Sequence, residues 1–147
     1  ARIVANYRKN GVSVSLVVPP VAPTVRDLLA EGGRYRYIDE LRARLHELDV
    51  PLADFHDAGA IPATDCEFVD GYHAGDITYL KMLAGMVRAW PWLAPLVDMR
   101  AVELTIATFD GNIIDQSAPE RFRGLPELDF MEMGCNRRPS PGGGRAA

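Results

Sequence analysis

The stretch RYRYIDELRARLHELDVPLADFHDA, residues 34–58, joins a helix pattern directly to a strand pattern. Its first part has apolar residues at helical spacing, with arginines and acids on the other side, which predicts an amphipathic helix. The apolar positions are Ile38, Leu41, Leu45 and Leu48. The short apolar segment PLADF, residues 51–55, then predicts a strand.

The same alternation continues on both sides of this stretch. Toward the N-terminus, RIVANYRKNG predicts a helix that ends at Gly11, and VSVSLVV predicts a strand that Pro19 and Pro20 stop. The segment TVRDLLAEGG is expected to be a loop or a short helix, and ITYLKMLAGMVRAW, residues 77–90, predicts another helix. This order predicts an α/β fold, a partial three-layer α/β/α arrangement with a mainly parallel sheet.

The pattern changes after the helix that ends near Trp90. Val102, Leu104 and Ile106 alternate ahead of an Asp-Gly pair at 110 and 111, which favours an antiparallel β-hairpin. The sequence is therefore divided into an α/β part at 1–95, a hairpin-containing extension at 96–136 and a tail at 137–147. The tail, RRPSPGGGRAA, has too few apolar residues to pack and is expected to be disordered.

Composition limits the kinds of function. A chain of 147 residues with 48% hydrophobic content can form one packed core and is too short for two ordinary domains. The formal net charge of -4, without any cluster of basic residues, argues against nucleic-acid binding. No apolar run reaches the roughly 18 residues that a membrane span needs. Cys66 and Cys135 are far apart and match neither a disulfide framework nor a C-x-x-C motif.

The candidate site lies in FVDGYHAGD, residues 68–76, where Asp70 and His73 stand three residues apart at the mouth of a predicted helix. Ligands of open α/β sheets bind at the carboxyl ends of the strands, where this loop is expected. Such a pair can share a proton, although it can also be a structural capping loop. A further hypothesis is a metal site of mixed ligands, and its residues would be His56, Asp57, Asp65, Asp70 and His73.

The block Asp70-Gly71-Tyr72-His73 resembles the last sequence block, D-x-x-H, of the SGNH (GDSL-like) hydrolases, and Gly75 fits its continuation. The segments VSLVVPPV, YIDELRARLHEL and VPLADFHD are similar to elements of the branch that includes the lipoteichoic-acid D-alanylation and alginate-acetylation proteins. The resemblance covers roughly residues 1 to 90. It implies that His73 is a general base and that Asp70 orients its imidazole, without a cofactor or a metal.

The family's serine block, G-D-S, has no counterpart in this chain, whose serines are Ser13, Ser15, Ser117 and Ser140. The missing initiator Met and the start within a helix pattern favour the interpretation that the chain is the C-terminal part of a longer protein. The expected function is then the base-bearing half of an SGNH-type esterase or O-acyltransferase acting on acylated polysaccharide or related esters, inactive by itself. The resemblance implies a periplasmic or cell-surface location.

An alternative from another class is a non-catalytic α/β binding or assembly module. In that case the Asp70–His73 loop is structural, and the predicted hairpin at residues 101–116 provides a surface for a partner. Under either interpretation, a sheet that lacks its leading strands has an unpaired edge, which favours self-association.

Overall fold

The computed structural model describes residues 2–108, in which helices predominate over a small sheet. The helices and strands, in chain order, are α1 Arg2–Lys9, β1 Leu16–Val18, α2 Pro23–Ala30, α3 Arg36–His46, β2 Leu52–Asp54, α4 Asp76–Ala89 and α5 Met99–Thr108. Short 3-10 segments lie at Glu31–Gly33, Ala58–Ala60, Asp65–Glu67 and Pro91–Leu96. Among residues 2–108, no helix has both the length and the apolar character that a bilayer crossing requires.

The sheet of the described region pairs β1 with β2 in parallel, with Leu16 opposite Leu52 and Val18 opposite Asp54. Helices α2 and α3 connect the two strands, as a parallel pair requires. The predicted combination of helices with a parallel sheet is therefore confirmed at this coarse level. Each strand is shorter than predicted, because only three residues of each segment take part in the ladder.

Helix α1 ends as the sequence predicts. Gly11 has a φ of 73°, its N–H donates to the carbonyl of Arg8, and the N–H of Val12 donates to the carbonyl of Tyr7. These two bonds form a Schellman motif, in which glycine adopts the left-handed conformation without a steric penalty.

The prediction of a strand as the first arm of the hairpin is wrong, because residues 101–108 belong to helix α5. Val102 and Ile106 also fit the apolar stripe of a helix that begins at Met99. Such a short apolar run does not distinguish the two-residue period of a strand from the 3.6-residue period of a helix. The Asp98 carboxylate accepts a hydrogen bond of 3.0 Å from the N–H of Ala101, which caps the helix and favours that conformation. The Asp-Gly pair at 110 and 111, the second arm and the tail at 137–147 lie outside the described residues.

The described core lies between α4 and the connection that leads into it from β2. Its larger members are Phe55, Ile61, Phe68, Met82 and Trp90. Gly85 of α4 lies against this core, where a Cβ would lie 2.8 Å from Cε1 of Phe55. Glycine therefore allows α4 to pack directly against the residue that follows β2.

Helix α3 forms as predicted, but its apolar stripe is only partly covered. Ile38, Leu45 and Leu48 are half-buried and Leu41 is exposed. The helix also makes polar contacts at the end of β2, which are described below.

Candidate functional site

The loop of residues 68–75 is a tight turn closed by its own backbone. Phe68 and Ala74 form an antiparallel bridge, and the N–H of Val69 donates to the carbonyl of His73 over 2.8 Å. Gly71, at the tip, has a φ of 83°, a conformation that side-chain-bearing residues rarely adopt. The sequence places glycine where the turn requires it, and the residues on either side are fixed relative to each other.

The loop is attached to the carboxyl edge of the sheet. The carbonyl of Gly71 accepts a hydrogen bond of 2.8 Å from the N–H of Ala22, which follows strand β1. Just before it, Val21 forms a parallel bridge with Asp57, beyond the end of β2. The loop therefore lies at the strand exits, where ligand sites of parallel sheets are found.

A polar clamp holds the beginning of the loop against helix α4. Lys81 Nζ lies 2.7 Å from both carboxylate oxygens of Glu67 and donates to the carbonyl of Pro62 over 2.8 Å. The Thr78 hydroxyl lies 3.1 Å from the same carboxylate. Because these side chains are largely buried, the clamp fixes the angle at which the loop enters the helix.

Within the loop, Asp70 and His73 are in contact. Nδ1 of His73 lies 2.6 Å from Oδ2 of Asp70, while Oδ1 of Asp70 accepts from the N–H groups of Tyr72 and His73 at 3.0 Å and 2.7 Å. Both side chains face solvent, with exposed fractions of 50% for Asp70 and 77% for His73. The hydrogen bond to the His73 ring, followed by those to the two backbone N–H groups, lowers the pKa of Asp70 to about 2.

This contact defines what the pair can do chemically. A carboxylate that accepts from the protonated Nδ1 leaves Nε2 as the basic nitrogen, and it stabilises the imidazolium that forms when Nε2 takes up a proton. Among the described residues, Nε2 of His73 has no hydrogen-bond partner. The pair therefore presents an oriented, accessible base.

The residues of the metal hypothesis are not brought together. Both oxygens of Asp65 bind Thr24, at the backbone N–H and the hydroxyl, each at 2.9 Å, which caps helix α2. Asp57 pairs with Arg26 at 2.5 Å and accepts from the N–H of Gly59. In the part of the chain that the structure describes, no group of three or more acidic, histidine or cysteine side chains could hold a metal ion.

A second polar cluster, which the sequence did not indicate, lies at the exit of β2. The Asp54 carboxylate, 9% exposed, accepts a hydrogen bond of 2.7 Å from Nε of Arg42 on α3 and lies 3.5 Å from Nε2 of His46. It also accepts from the N–H of His56. Burial alone would raise the pKa of Asp54, but the Arg42 hydrogen bond and the other contacts outweigh it and lower the pKa.

His56 lies next to this cluster and is only 5% exposed. Its ring stacks on Tyr35, with centroids 5.5 Å apart and an interplanar angle of 30°. Burial, followed by the nearby Arg42 cation, lowers the pKa of His56 below its ordinary value of 6.5, so the ring is neutral at pH 7. Sequence reasoning included His56 in the metal hypothesis, and nothing in its neighbours predicted a buried ring.

Comparison of the chain with models of protein families, with curated proteins and with solved structures gave no match. Function is therefore inferred from the side chains at the sheet edge and from the resemblance of the D-x-x-H block.

Proposed function

We propose that this chain is the base-bearing half of an SGNH-type esterase or O-acyltransferase that acts on acylated polysaccharide or related esters. The observation that supports the proposal is the 2.6 Å contact between Nδ1 of His73 and Oδ2 of Asp70, in a loop tied to the carboxyl edge of a parallel sheet. In the proposed whole domain, the two described strands belong to a longer sheet with helices on both faces. The resemblance then implies a periplasmic or cell-surface location.

In the proposed reaction, His73 Nε2 accepts the proton of a serine hydroxyl as the serine oxygen attacks the ester carbonyl. Asp70 holds the ring and stabilises the imidazolium, which then gives its proton to the leaving alcohol as the ester bond breaks. Water or a second hydroxyl then gives a proton to His73 and takes the acyl group, and His73 passes that proton to the serine oxygen as its bond to the acyl carbon breaks. The serine must come from outside these 147 residues, because none of the four serines lies in a G-D-S block.

The experiment compares fluorophosphonate labelling of the 147-residue chain with that of the full product of its gene. We expect no labelling of the chain alone, and labelling of one serine in the full product that His73→Ala abolishes and Asp70→Asn weakens. His46→Ala is the matched control, because His46 is also an exposed histidine but lies on α3. Labelling of the full product that is insensitive to His73→Ala, or no labelling of it at all, would contradict the proposal.

A non-catalytic binding or assembly module is the second candidate. Its support is that the Asp70 carboxylate also accepts from two backbone N–H groups, so the loop has a structural use for Asp70 whether or not His73 acts as a base. This candidate predicts that both variants leave the labelling of every serine unchanged.

Within the described residues β1 pairs with β2 alone, which supports the further proposal that the chain associates with itself through the other edge of β1. The backbone groups of Leu16 and Val18 form hydrogen bonds to β2, so the N–H and C=O of Val17 point away from β2. Val17→Pro removes the N–H that points away from β2 and leaves the hydrogen bonds to β2 intact. Val17→Thr is the control, because threonine keeps that N–H. We expect sedimentation velocity to show a dimer for the native chain and for Val17→Thr, and a monomer for Val17→Pro. A strictly monomeric native chain would contradict this proposal.

A further inference from the structure

A groove opens at the amino end of the sheet, just ahead of strands β1 and β2. The two strands are bonded as far as Leu16, whose N–H donates to the carbonyl of Pro51 over 2.8 Å. In the same register, the ladder would continue from the N–H of Val14 to the carbonyl of Asp49. That carbonyl instead accepts from the guanidinium of Arg8. The segment ahead of β1 is therefore not paired with β2, and a groove of about 580 Å³ lies along it.

Polar groups without partners line this groove. Its walls are formed by Arg8, by the five residues 11–15, by Pro51 and by Trp92. The hydroxyls of Ser13 and Ser15 have no hydrogen-bond partner within residues 2–108, and the same is true of the backbone groups from Ser13 to Ser15. Val14 and Ser15 are half-buried, so part of this polar surface is withdrawn from water. Such groups are normally paired, and here they are donors and acceptors available to a ligand.

Trp92 supplies an aromatic wall to the same groove. The residue is 57% exposed, and its ring lies nearly parallel to that of buried Trp90, with centroids 6.3 Å apart and an interplanar angle of 13°. This stacking and the 3-10 segment Pro91–Leu96 hold the indole in place. An indole fixed in this way presents a large apolar surface to a ligand at a low cost in conformational entropy.

Arg8 adds further donors. Its guanidinium donates to the carbonyl of Asp49 and lies 3.4 Å from the carboxylate of the same residue. A guanidinium has five N–H donors, so some of them are left for a ligand. A sugar ring matches this combination, because its hydroxyls both donate and accept and its C–H face packs on an aromatic ring.

We propose that this groove binds a sugar ring of a polysaccharide. The ring stacks on Trp92 and exchanges hydrogen bonds with Ser13, Ser15 and the guanidinium. The groove lies at the amino end of β1, whereas the Asp70–His73 loop is attached at the carboxyl end, so the sugar held here is not the one at the proposed base. The inference deepens the proposed function, on which it rests for the identity of the polymer as the acylated substrate.

The test titrates the 147-residue chain with cellotetraose, an uncharged probe, and with tetragalacturonate, an acidic one, each up to about 10 mM. The chain has two tryptophans, so the indole N–H region of its 1H–15N spectrum contains two signals. We expect at least one probe to bind and to shift the Trp92 signal together with the backbone N–H signals of residues 13–15. The backbone N–H signal of Tyr79, on α4, should stay in place.

Trp92→Ala removes the aromatic wall, and we expect it to weaken binding about tenfold. Tyr79→Ala is the matched control, because Tyr79 is also an exposed aromatic residue but does not line the groove. The double variant Ser13→Ala with Ser15→Ala should weaken binding about fivefold, since it removes two hydroxyls without changing the indole. If Trp92→Ala fails to fold, this double variant and the Trp92 signal of the native chain decide the question.

His73→Ala separates this inference from the proposed function. It removes the proposed base and leaves the groove, so the sugar should bind within about twofold of the native chain. Sugar binding without His73-dependent labelling of the full gene product would refute the catalysis and support the groove, and labelling without sugar binding would do the reverse. The groove proposal is overturned if neither probe binds, if binding leaves the Trp92 signal unmoved, or if Trp92→Ala binds as tightly as the native chain. It is also overturned if a tetrapeptide of alternating threonine and valine binds in place of the sugars, since the groove would then accept an added strand.

Discussion

Two histidines stand at the same edge of the sheet and are held in opposite ways. His56 is buried and stacked on Tyr35, and its ring has no hydrogen bond within residues 2–108, whereas His73 is exposed and bonded to Asp70 through its ring. The first depends on elements distant in sequence, namely α3, β2 and the core beneath them. The second depends on a turn of a few residues that forms its own bonds.

This difference predicts that the surroundings of His56 contribute more to stability than the Asp70–His73 pair does. Substitutions around His56 disturb packing and a buried ion pair, which contribute to the free energy of unfolding. Substitutions at the Asp70–His73 pair change exposed groups, whose contribution to stability is small. A buried cluster and the exposed loop of the proposed base therefore share one edge, and the predictions that follow test that division.

The largest effect is expected from Arg42→Met, which leaves the Asp54 carboxylate without its closest cation in a largely buried position. We expect the free energy of unfolding to fall by about 2 kcal/mol, since removal of one member of a buried pair leaves an uncompensated charge. Arg36→Met is the control on the same helix, because the exposed Arg36–Glu40 pair at 3.7 Å should contribute less than about 0.5 kcal/mol. Equal losses for the two variants, measured by urea denaturation, would show that the cluster at β2 is no more important than a surface pair.

A smaller loss is expected from Gly85→Ala. Alanine is the better helix former, but its Cβ would lie 2.8 Å from Cε1 of Phe55, a buried ring with little room to move. Overpacking should outweigh the helix preference and lower the free energy of unfolding by about 1 kcal/mol. The double variant with Phe55→Leu isolates the contact, because alanine should then cost less than it does in the native background. If Gly85→Ala alone were more stable than the native chain, this packing argument would be contradicted.

Sequence reasoning identified the elements whose signals are local. The helix at α3 follows from its apolar spacing, the end of α1 from Gly11, and the contact of Asp70 with His73 from a short glycine-containing loop. It failed at α5, where a run of alternating residues is compatible with both periods and the Asp98 cap favours the helix.

The cluster at β2 could not be predicted from the sequence in the same way. Arg42 and Asp54 are twelve residues apart, and their contact depends on how α3 crosses the end of β2. The cap of α2 by Asp65 spans forty-one residues, and the clamp between Glu67 and Lys81 depends on the angle between a loop and a helix. Contacts of this kind are set by tertiary packing, which residue spacing does not encode.

The buried histidine should make stability depend on pH. Because burial lowers the pKa of His56 in the folded chain below 6.5, the unfolded chain takes up a proton first as the pH falls. The stability associated with neutral His56 is therefore fully present above about pH 6.5 and is lost as the pH falls through the folded pKa. Urea denaturation at several pH values should show this decline in the native chain and a flatter profile in His56→Phe. The same slope in both chains would mean that His56 titrates as an exposed residue does.

The smallest effect on stability and the clearest local effect are expected from His73→Gln. Near pH 7 the free energy of unfolding should be almost unchanged, because both side chains face solvent. The hydrogen bond to the His73 ring is the main cause that lowers the pKa of Asp70 to about 2, so its loss should raise that pKa toward the ordinary 3.8. Carboxyl 13C NMR of Asp70 measures this directly, with His46→Gln as the control.

The sign of the accompanying pH effect on stability is fixed by the direction of the shift. A carboxyl whose folded pKa is depressed stabilises the fold above its ordinary value, and this contribution is lost as the pH falls from about 4 to about 2. In His73→Gln that loss should be smaller, since only the backbone N–H groups of Tyr72 and His73 still favour the carboxylate. If the pKa of Asp70 stays near 2 in the variant, the backbone N–H groups alone lower it, and the His73 ring is not coupled to the carboxylate. The loop and the exit of β2 would then differ in their exposure to solvent only.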